Sequence, residues 1–368
     1  MKNNTNTAIG AILSLMVLTV ACSKNQSETG SNEGTLTKQE KTSAITVPTT
    51  IDNWHPGHYV LLNDGDAINT TTIPTGFRGA QRKYYWKDLE STQGNYDFSK
   101  ILADLDAISA MSQKYLVVQI TTKAFGLGAT SVPDYVKNHV PSPGKYKWVY
   151  KTSSGSLDPV VWDDEVSTRI KALHTALGNA LKFKARIEAV VISESALSSN
   201  IEANPQDSVK HYTPMDHYKG LNDQMNTLRS VLTTKVIIQY TNFPINILAD
   251  LVLNEETNGI GLGGPDINPS FPGLNGPGGA YSFYTVDRAK QIPFGAAVQY
   301  TTYIDTTYDS VKSLYDFGKT NLNLHYIFWQ NRGGGYFATV TRLVYNVTNA
   351  GQWPAGGLNA TKPNCYTP

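Results

Sequence analysis

Cysteine is scarce: the 368 residues hold two, Cys22 and Cys365. Two thiols are too few for a disulfide framework. Excess charge is also lacking. Thirty-one basic side chains meet thirty acidic ones, a formal net charge of +1, which gives nucleic acid no electrostatic foothold. The seven histidines are scattered without metal-ligand spacing, and there is no His-Glu-x-x-His, so no metal site and no cofactor are expected. No Gly-x-Ser-x-Gly elbow is present, which argues against a serine hydrolase of the α/β type. Long apolar runs are missing too. The one continuous candidate, Ala8 to Val20, is shorter than the ~20 residues a transmembrane helix needs.

That short run has a different meaning. Met1 to Thr7 is polar with Lys2 as its charge, the apolar stretch follows, and small residues close it. This is the order of a secretory signal. Thr19-Val20-Ala21-Cys22-Ser23 resembles the lipobox of bacterial lipoproteins, with Thr19 where leucine is usual. The resemblance implies a signal peptide over residues 1–21, a lipid on Cys22, and a membrane-anchored, extracytoplasmic place in the cell envelope. Ser23 to Thr50 carries almost nothing to bury and reads as a disordered tether over residues 22–50. The folded part is then 51–368, long enough to bury a large core without covalent staples.

Within it, short β-branched runs alternate with helical stretches. Alternation of this kind implies a parallel sheet with crossovers. Eight strands are expected: Tyr59–Leu62, Gly79–Tyr85, Tyr115–Thr121, Ala189–Ile192, Lys235–Tyr240, Gly259–Leu262, Gly295–Tyr300 and Leu324–Trp329. Helices are expected over Ser99–Met111, Asp164–Leu181, Met215–Leu232, Ile245–Leu253, Thr307–Thr320 and Thr339–Thr348. In Asp164–Leu181 the residues Val166, Ile170, Leu173, Leu177 and Leu181 form one apolar stripe. No helix is visible after the first strand, and a Gly/Pro-rich loop follows the sixth. The predicted fold is α/β, a single (β/α)8 barrel of the TIM type.

Three odd-numbered strands share an echo: Gln119-Ile120-Thr121, Gln239-Tyr240-Thr241 and Gln299-Tyr300-Thr301. Alternate strands of such a barrel fill common layers, so the three glutamines are expected together near its top. There they either bind sugar hydroxyls or form a polar layer that satisfies itself. Active sites of these barrels lie at the C-terminal strand ends. Those ends carry Asp64 and Asp66, Trp86 and Glu90, Lys123, Ser193 and Glu194, Asn242, Asp266, Asp305, and Trp329. Carboxylates, amides and aromatics dominate, which suits a carbohydrate ligand.

Tyr85-Trp86-Lys87-Asp88-Leu89-Glu90 followed by Gly94-Asn95-Tyr96-Asp97-Phe98-Ser99 resembles a segment of many clan A glycoside hydrolases, where it follows the second barrel strand. Ile187 to Glu194 resembles their fourth strand, which ends in the general acid/base glutamate. Ser193 stands where an asparagine is usual. The resemblance implies a glycosidase with Glu194 as proton donor, its proton affinity raised at the mouth of an apolar strand.

Cleaving a glycosidic bond needs a second carboxylate. Clan A enzymes place it at the end of strand seven, but Ala296 to Tyr300 holds no acid. Asp266 is the leading replacement, because Gly263-Gly264-Pro265 sets a fixed turn before it. Asp305, Asp64 and Asp66 are further candidates. Trp86 and Trp329 are expected to stack on sugar rings, and Gln119, Lys123, Gln239, Asn242 and Gln299 to contact the substrate. Glu90 is expected to pair with Lys87 or Arg82. A second class is a catalytically inactive carbohydrate-binding barrel, favoured by the missing acid of strand seven. A third is a polysaccharide lyase, which would use Arg82 or Lys123 against a uronate.

Overall fold

The computed structural model describes residues 51, 53–143, 145–203, 212–299, 305–333 and 335–366. The expected signal peptide, Cys22 and the expected tether lie outside the described residues. Eight parallel strands close into a barrel in sequential order, β1 to β8 and back to β1. They are β1 (Gly57–Leu61), β2 (Gly79–Tyr85), β3 (Tyr115–Thr121), β4 (Ile187–Ile192), β5 (Val236–Tyr240), β6 (Gly261–Gly264), β7 (Phe294–Val298) and β8 (Tyr326–Gln330). Most are buried along their whole length, as parallel strands covered on both faces must be.

Six long helices cover the barrel: α1 (Ser99–Ser109), α2 (Asp164–Leu181), α3 (Pro214–Val231), α4 (Ile245–Asn258), α5 (Tyr308–Thr320) and α6 (Tyr336–Val347). Their starts follow capping chemistry. Asp163 accepts from the backbone N–H groups of Glu165 and Val166 ahead of α2, Thr213 from Asp216 ahead of α3, and Thr307 from Ser310 ahead of α5. The stripe of α2 is buried as expected, with His174 added to it.

Two boundaries differ from expectation for one reason. Helix α4 runs five residues past Leu253, and Gly259 ends it in a left-handed conformation (φ 61°). Glycine takes that conformation without a Cβ penalty, so Gly259 caps a helix rather than opening a strand. The sixth strand therefore begins at Gly261. It is glycine-rich because a Cβ on Gly263 would lie 2.5 Å from Ile238 Cγ2. Between β1 and β2 the chain forms turns, and between β6 and β7 only short helical turns, at Pro272–Asn275, Ala280–Phe283 and Val286–Ala289. The β3–α2 connection adds an antiparallel hairpin, Val149–Lys151 with Leu157–Pro159, that the sequence pattern did not reveal.

Inside the barrel Tyr59, Leu61, Val117, Ala189, Val191, Val236, Ile238, Tyr240, Ala297, Tyr326 and Phe328 form one apolar cluster. Its base is closed by the segment entering β1. Asn53 donates to the Ile187 carbonyl (2.9 Å), Trp54 packs edge-on against Tyr326, and His55 stacks on Tyr115 at 3.7 Å. A β-bulge gives β4 an extra residue here: Leu116 pairs with Ile187, but Val117 pairs with Ala189. The extra residue is Glu188, fully buried. It accepts from the His55 N–H (2.7 Å), His55 Nδ1 (2.8 Å) and Tyr326 Oη (2.8 Å), so a buried carboxylate is matched by three donors.

Candidate active site

The mouth of the barrel is built from strand ends and the loops after them. Strand β2 turns Gln81, Lys83 and Tyr85 inward, alternating with Ala80, Arg82 and Tyr84. Gln81 Nε2 donates to Gln119 Oε1 (2.8 Å) and to Tyr240 Oη (3.0 Å), a hydrogen-bonded layer just below the mouth. Lys83 Nζ donates to Gln299 Oε1 (2.7 Å), and Gln299 Nε2 donates to the Pro265 carbonyl (2.7 Å). Burial lowers the proton affinity of Lys83, while Glu194, Asp266 and Asp64 pull it back up. One lysine thus faces three carboxylates from β1, β4 and β6. Tyr85 Oη donates to Asp64 (3.1 Å), and burial with this neighbour pushes the phenol up to about 12.

Glu194 follows β4 after one residue, Ser193. Asn242 Nδ2 donates to its Oε2 (2.7 Å), and Asn242 Oδ1 accepts from the N–H groups of Ala196 (3.1 Å) and Phe243 (3.0 Å). Ser195 Oγ donates to the Phe243 carbonyl (2.7 Å) and accepts from the Asn242 N–H (3.1 Å). The loops after β4 and β5 are therefore laced together, and Glu194 is held by that lacing. Ser193, in the place of the usual asparagine, joins strands instead: its hydroxyl accepts from the Thr122 N–H (2.7 Å) and donates to the Ile120 carbonyl (3.1 Å).

Beside Glu194 opens a cleft of about 300 Å³, lined by Lys123, Phe125, the loop Thr152–Ser156, Asp158 and Ala196–Ser199. Lys123 is buried and donates to the Ala196 carbonyl. Burial lowers its proton affinity against the pull of Glu194 and Asp158. Asp158 comes from the inserted hairpin and accepts from the Ala124 N–H (3.2 Å). Burial raises its proton affinity, opposed by Lys123. Phe125 stands 73% exposed at the rim.

The structure brings Glu194, Asp266, Lys123, Asn242 and Gln299 to the mouth, with Gln119 in the layer below. It does not bring the other predicted contacts there. Trp86 begins a short helix, is fully buried, and donates to Glu90 Oε2 (2.8 Å). Trp329 is fully buried on the outer side of β8 and donates to His58 Nδ1 (3.0 Å). Neither indole offers a face to a sugar. Gln239 is also a correction. Val236, Ile238 and Tyr240 fill the interior, so Gln239 lies on the outward parity of β5, donating to the carbonyls of Ser193 and Tyr240. The shared Gln-x-Thr motif therefore does not form one layer.

Other acids are committed elsewhere. Asp305 accepts from the Thr307 N–H (2.9 Å) and Ser310 Oγ (2.8 Å) at the start of α5, and Asp66 accepts from the Asn63 N–H (2.8 Å) and Asn331 Nδ2 (2.9 Å). Arg82 pairs with Asp104 on α1 (2.8 Å), and Glu90 accepts from Trp86 and the Gly94 N–H rather than from a cation. Lys83, Asp158 and Phe125 were missed in the sequence. Lys83 was within reach of the period-two pattern of β2; the other two sit in irregular or three-residue elements with no periodicity to read. Among the described residues no group of three His, Cys, Asp or Glu side chains is placed to hold a metal.

Fold and site together define a (β/α)8 barrel whose mouth gathers carboxylates around lysines. The chain is similar to a solved structure of endo-glycoceramidase II from Rhodococcus sp., its lactosyl-enzyme intermediate. The TM-score is 0.51 at 9% identity, covering 78% of this chain and 76% of that one. Exo-beta-1,4-mannosidase Op5Man5 from Opitutaceae bacterium strain TAV5 gives a TM-score of 0.43 at 13% identity, over 76% of this chain and 54% of that one. No family model matches the chain, and no curated protein matches it. The first likeness establishes the barrel fold.

Proposed function

We propose that the protein is a glycoside hydrolase acting on an oligo- or polysaccharide outside the cytoplasm, anchored to a membrane of the cell envelope through lipid on Cys22. The observation that carries this reading is Glu194 at the end of β4, held by Asn242 and opening onto a cleft. That is the position from which barrel enzymes act. The endo-glycoceramidase that shares the fold was solved as a glycosyl-enzyme species, which adds support.

In this reading Glu194 donates its proton to the glycosidic oxygen as the bond to the anomeric carbon breaks. Asp266 supplies the negative charge that faces that carbon, with Lys83 as the cation beside it. Gln299 and Lys123 contact sugar hydroxyls, and Phe125 replaces the two tryptophans as the stacking surface.

A binding barrel without catalysis is the second reading. It is favoured by Gln299, an amide already bonded to Lys83, on the residue after β7. The test is hydrolysis by the full-length chain on a panel of glycans beside Glu194→Gln. Removal of general acid catalysis should lower kcat by roughly 10²–10⁴ while binding persists. A wild-type chain that binds a glycan and releases no sugar from any would refute the hydrolase.

A further inference from the structure

The inserted hairpin has a second concave side. Its loop, Thr152–Ser156, and Asp158 line the cleft of Glu194. Its other side borders a groove of about 520 Å³, lined by Lys137, His139, Val140, Pro141, Lys147, Val149, Tyr150, Lys151 and Leu157. Val149 and Lys151 share one side of the strand, and Lys147 lies just ahead of it, before a bend at Trp148. Val149 is buried and gives an apolar floor, Tyr150 packs on the opposite side of the strand with Leu197 and Ile201, and Lys147 and Lys151 are exposed beside the floor. His139 lies flat on Trp148, 3.5 Å between ring centroids and 3° between planes, which fixes one wall.

No carboxylate lines this groove. Asp134 meets Lys137 at 2.6 Å, and Asp163, Asp164 and Glu165 line a separate pocket with Lys145 and Trp148. The whole chain is nearly neutral, at +1, and Lys137 is matched by Asp134, so the exposed Lys147 and Lys151 at the border are a local concentration of charge and not a share of general basicity. A concave surface of one sign with an apolar floor focuses its field on a bound anion.

We infer that this groove binds an acidic stretch of a glycan, one bearing uronate or sulfate groups, whose neighbouring sugars reach the Glu194 cleft across the same hairpin. The inference rests on the carbohydrate reading above and narrows its substrate class. An apolar floor suits the C–H faces of sugar rings, and lysines at the border suit their anionic substituents. A flat anionic membrane would not need a floor. The connection is physical: Lys151 borders the groove, and the next residue, Thr152, lines the cleft.

The experiment measures binding by the full-length Glu194→Gln chain to polygalacturonate, alginate and chondroitin sulfate, with methyl-esterified polygalacturonate as the uncharged match. Binding to at least one acidic glycan is expected, weakening about tenfold from low to physiological salt and about tenfold again in Lys147→Glu/Lys151→Glu. The esterified polymer should be indifferent to both changes. Equal affinity for charged and esterified polymer, or a double variant that binds every acidic glycan like its parent, overturns the inference. So does a variant that loses only binding to phosphatidylglycerol vesicles, which would make the groove a membrane contact. Catalysis is absent from this readout, so a failed hydrolase reading leaves a distinct signature: acidic glycan bound, none cleaved by the wild type.

Discussion

Lowering the pH from 7 to 5 should remove several kcal/mol of stability, through four histidines sealed in the fold. His58, His174, His217 and His325 are all buried. Burial lowers His58 and His174 to about 4, and His217 and His325 to about 3. Two of the rings are committed as acceptors: Trp329 Nε1 donates to His58 Nδ1 (3.0 Å), and the Phe294 N–H donates to His325 Nδ1 (2.9 Å). Protonation would set two donors against each other there. The unfolded chain protonates its histidines near 6.5, the folded chain near 3 to 4. Between those values the unfolded state binds more protons, so stability falls as pH falls. At pH 5 each histidine costs about 2 kcal/mol, and four cost about 8 kcal/mol, against a typical total of roughly 5–15 kcal/mol. Glu255 and Asp158 act in the opposite direction, because burial raises both. These two carboxyls offset part of the cost of the four imidazoles, so the fall expected is several kcal/mol rather than the full sum.

Urea titrations followed by tryptophan fluorescence, at half-unit steps from pH 7.5 to 5 (about six points), read the slope as proton uptake on unfolding. Stability at pH 5 within about 1 kcal/mol of its value at pH 7 would refute the reasoning. His174→Leu sharpens the test. Its ring lies on the apolar stripe of α2 with Nδ1 donating to the Gln224 carbonyl (3.1 Å). The variant should lose about 1 kcal/mol at neutral pH and flatten the acid slope by about one proton.

At the barrel base, Glu188→Leu strands the donors of His55 and Tyr326, and should cost roughly 3–5 kcal/mol in denaturant titration. Trp86→Ala empties a core position and should cost roughly 3–5 kcal/mol. Glycan affinity of the folded fraction should be unchanged in that variant, and a selective loss of binding would restore Trp86 to the mouth.

Most of the strands were legible because they are short apolar runs buried on both sides, and such runs need no partner information to be recognised. What escaped was parity. A strand that shifts its inward set by one residue turns every side chain over, so Gln119 and Gln239 look alike in sequence and face opposite ways. Trp329 failed likewise, one residue beyond an inward Phe328. Glu194 was legible as the first acid after an apolar strand. Its partner was not, because Asn242 reaches it from the loop after β5, whose approach is set by tertiary packing alone.

The closing of the barrel base by Asn53, Trp54 and His55 also sets a direction. The chain enters at the face where the strands begin, and the mouth opens at the face where they end. A pull on the residues ahead of Ile51 is therefore borne by the stopper and the buried carboxylate behind it. The base is thus the sealed face of the barrel and the mouth its open one, where a polymer too large to enter can still lie across the strand ends.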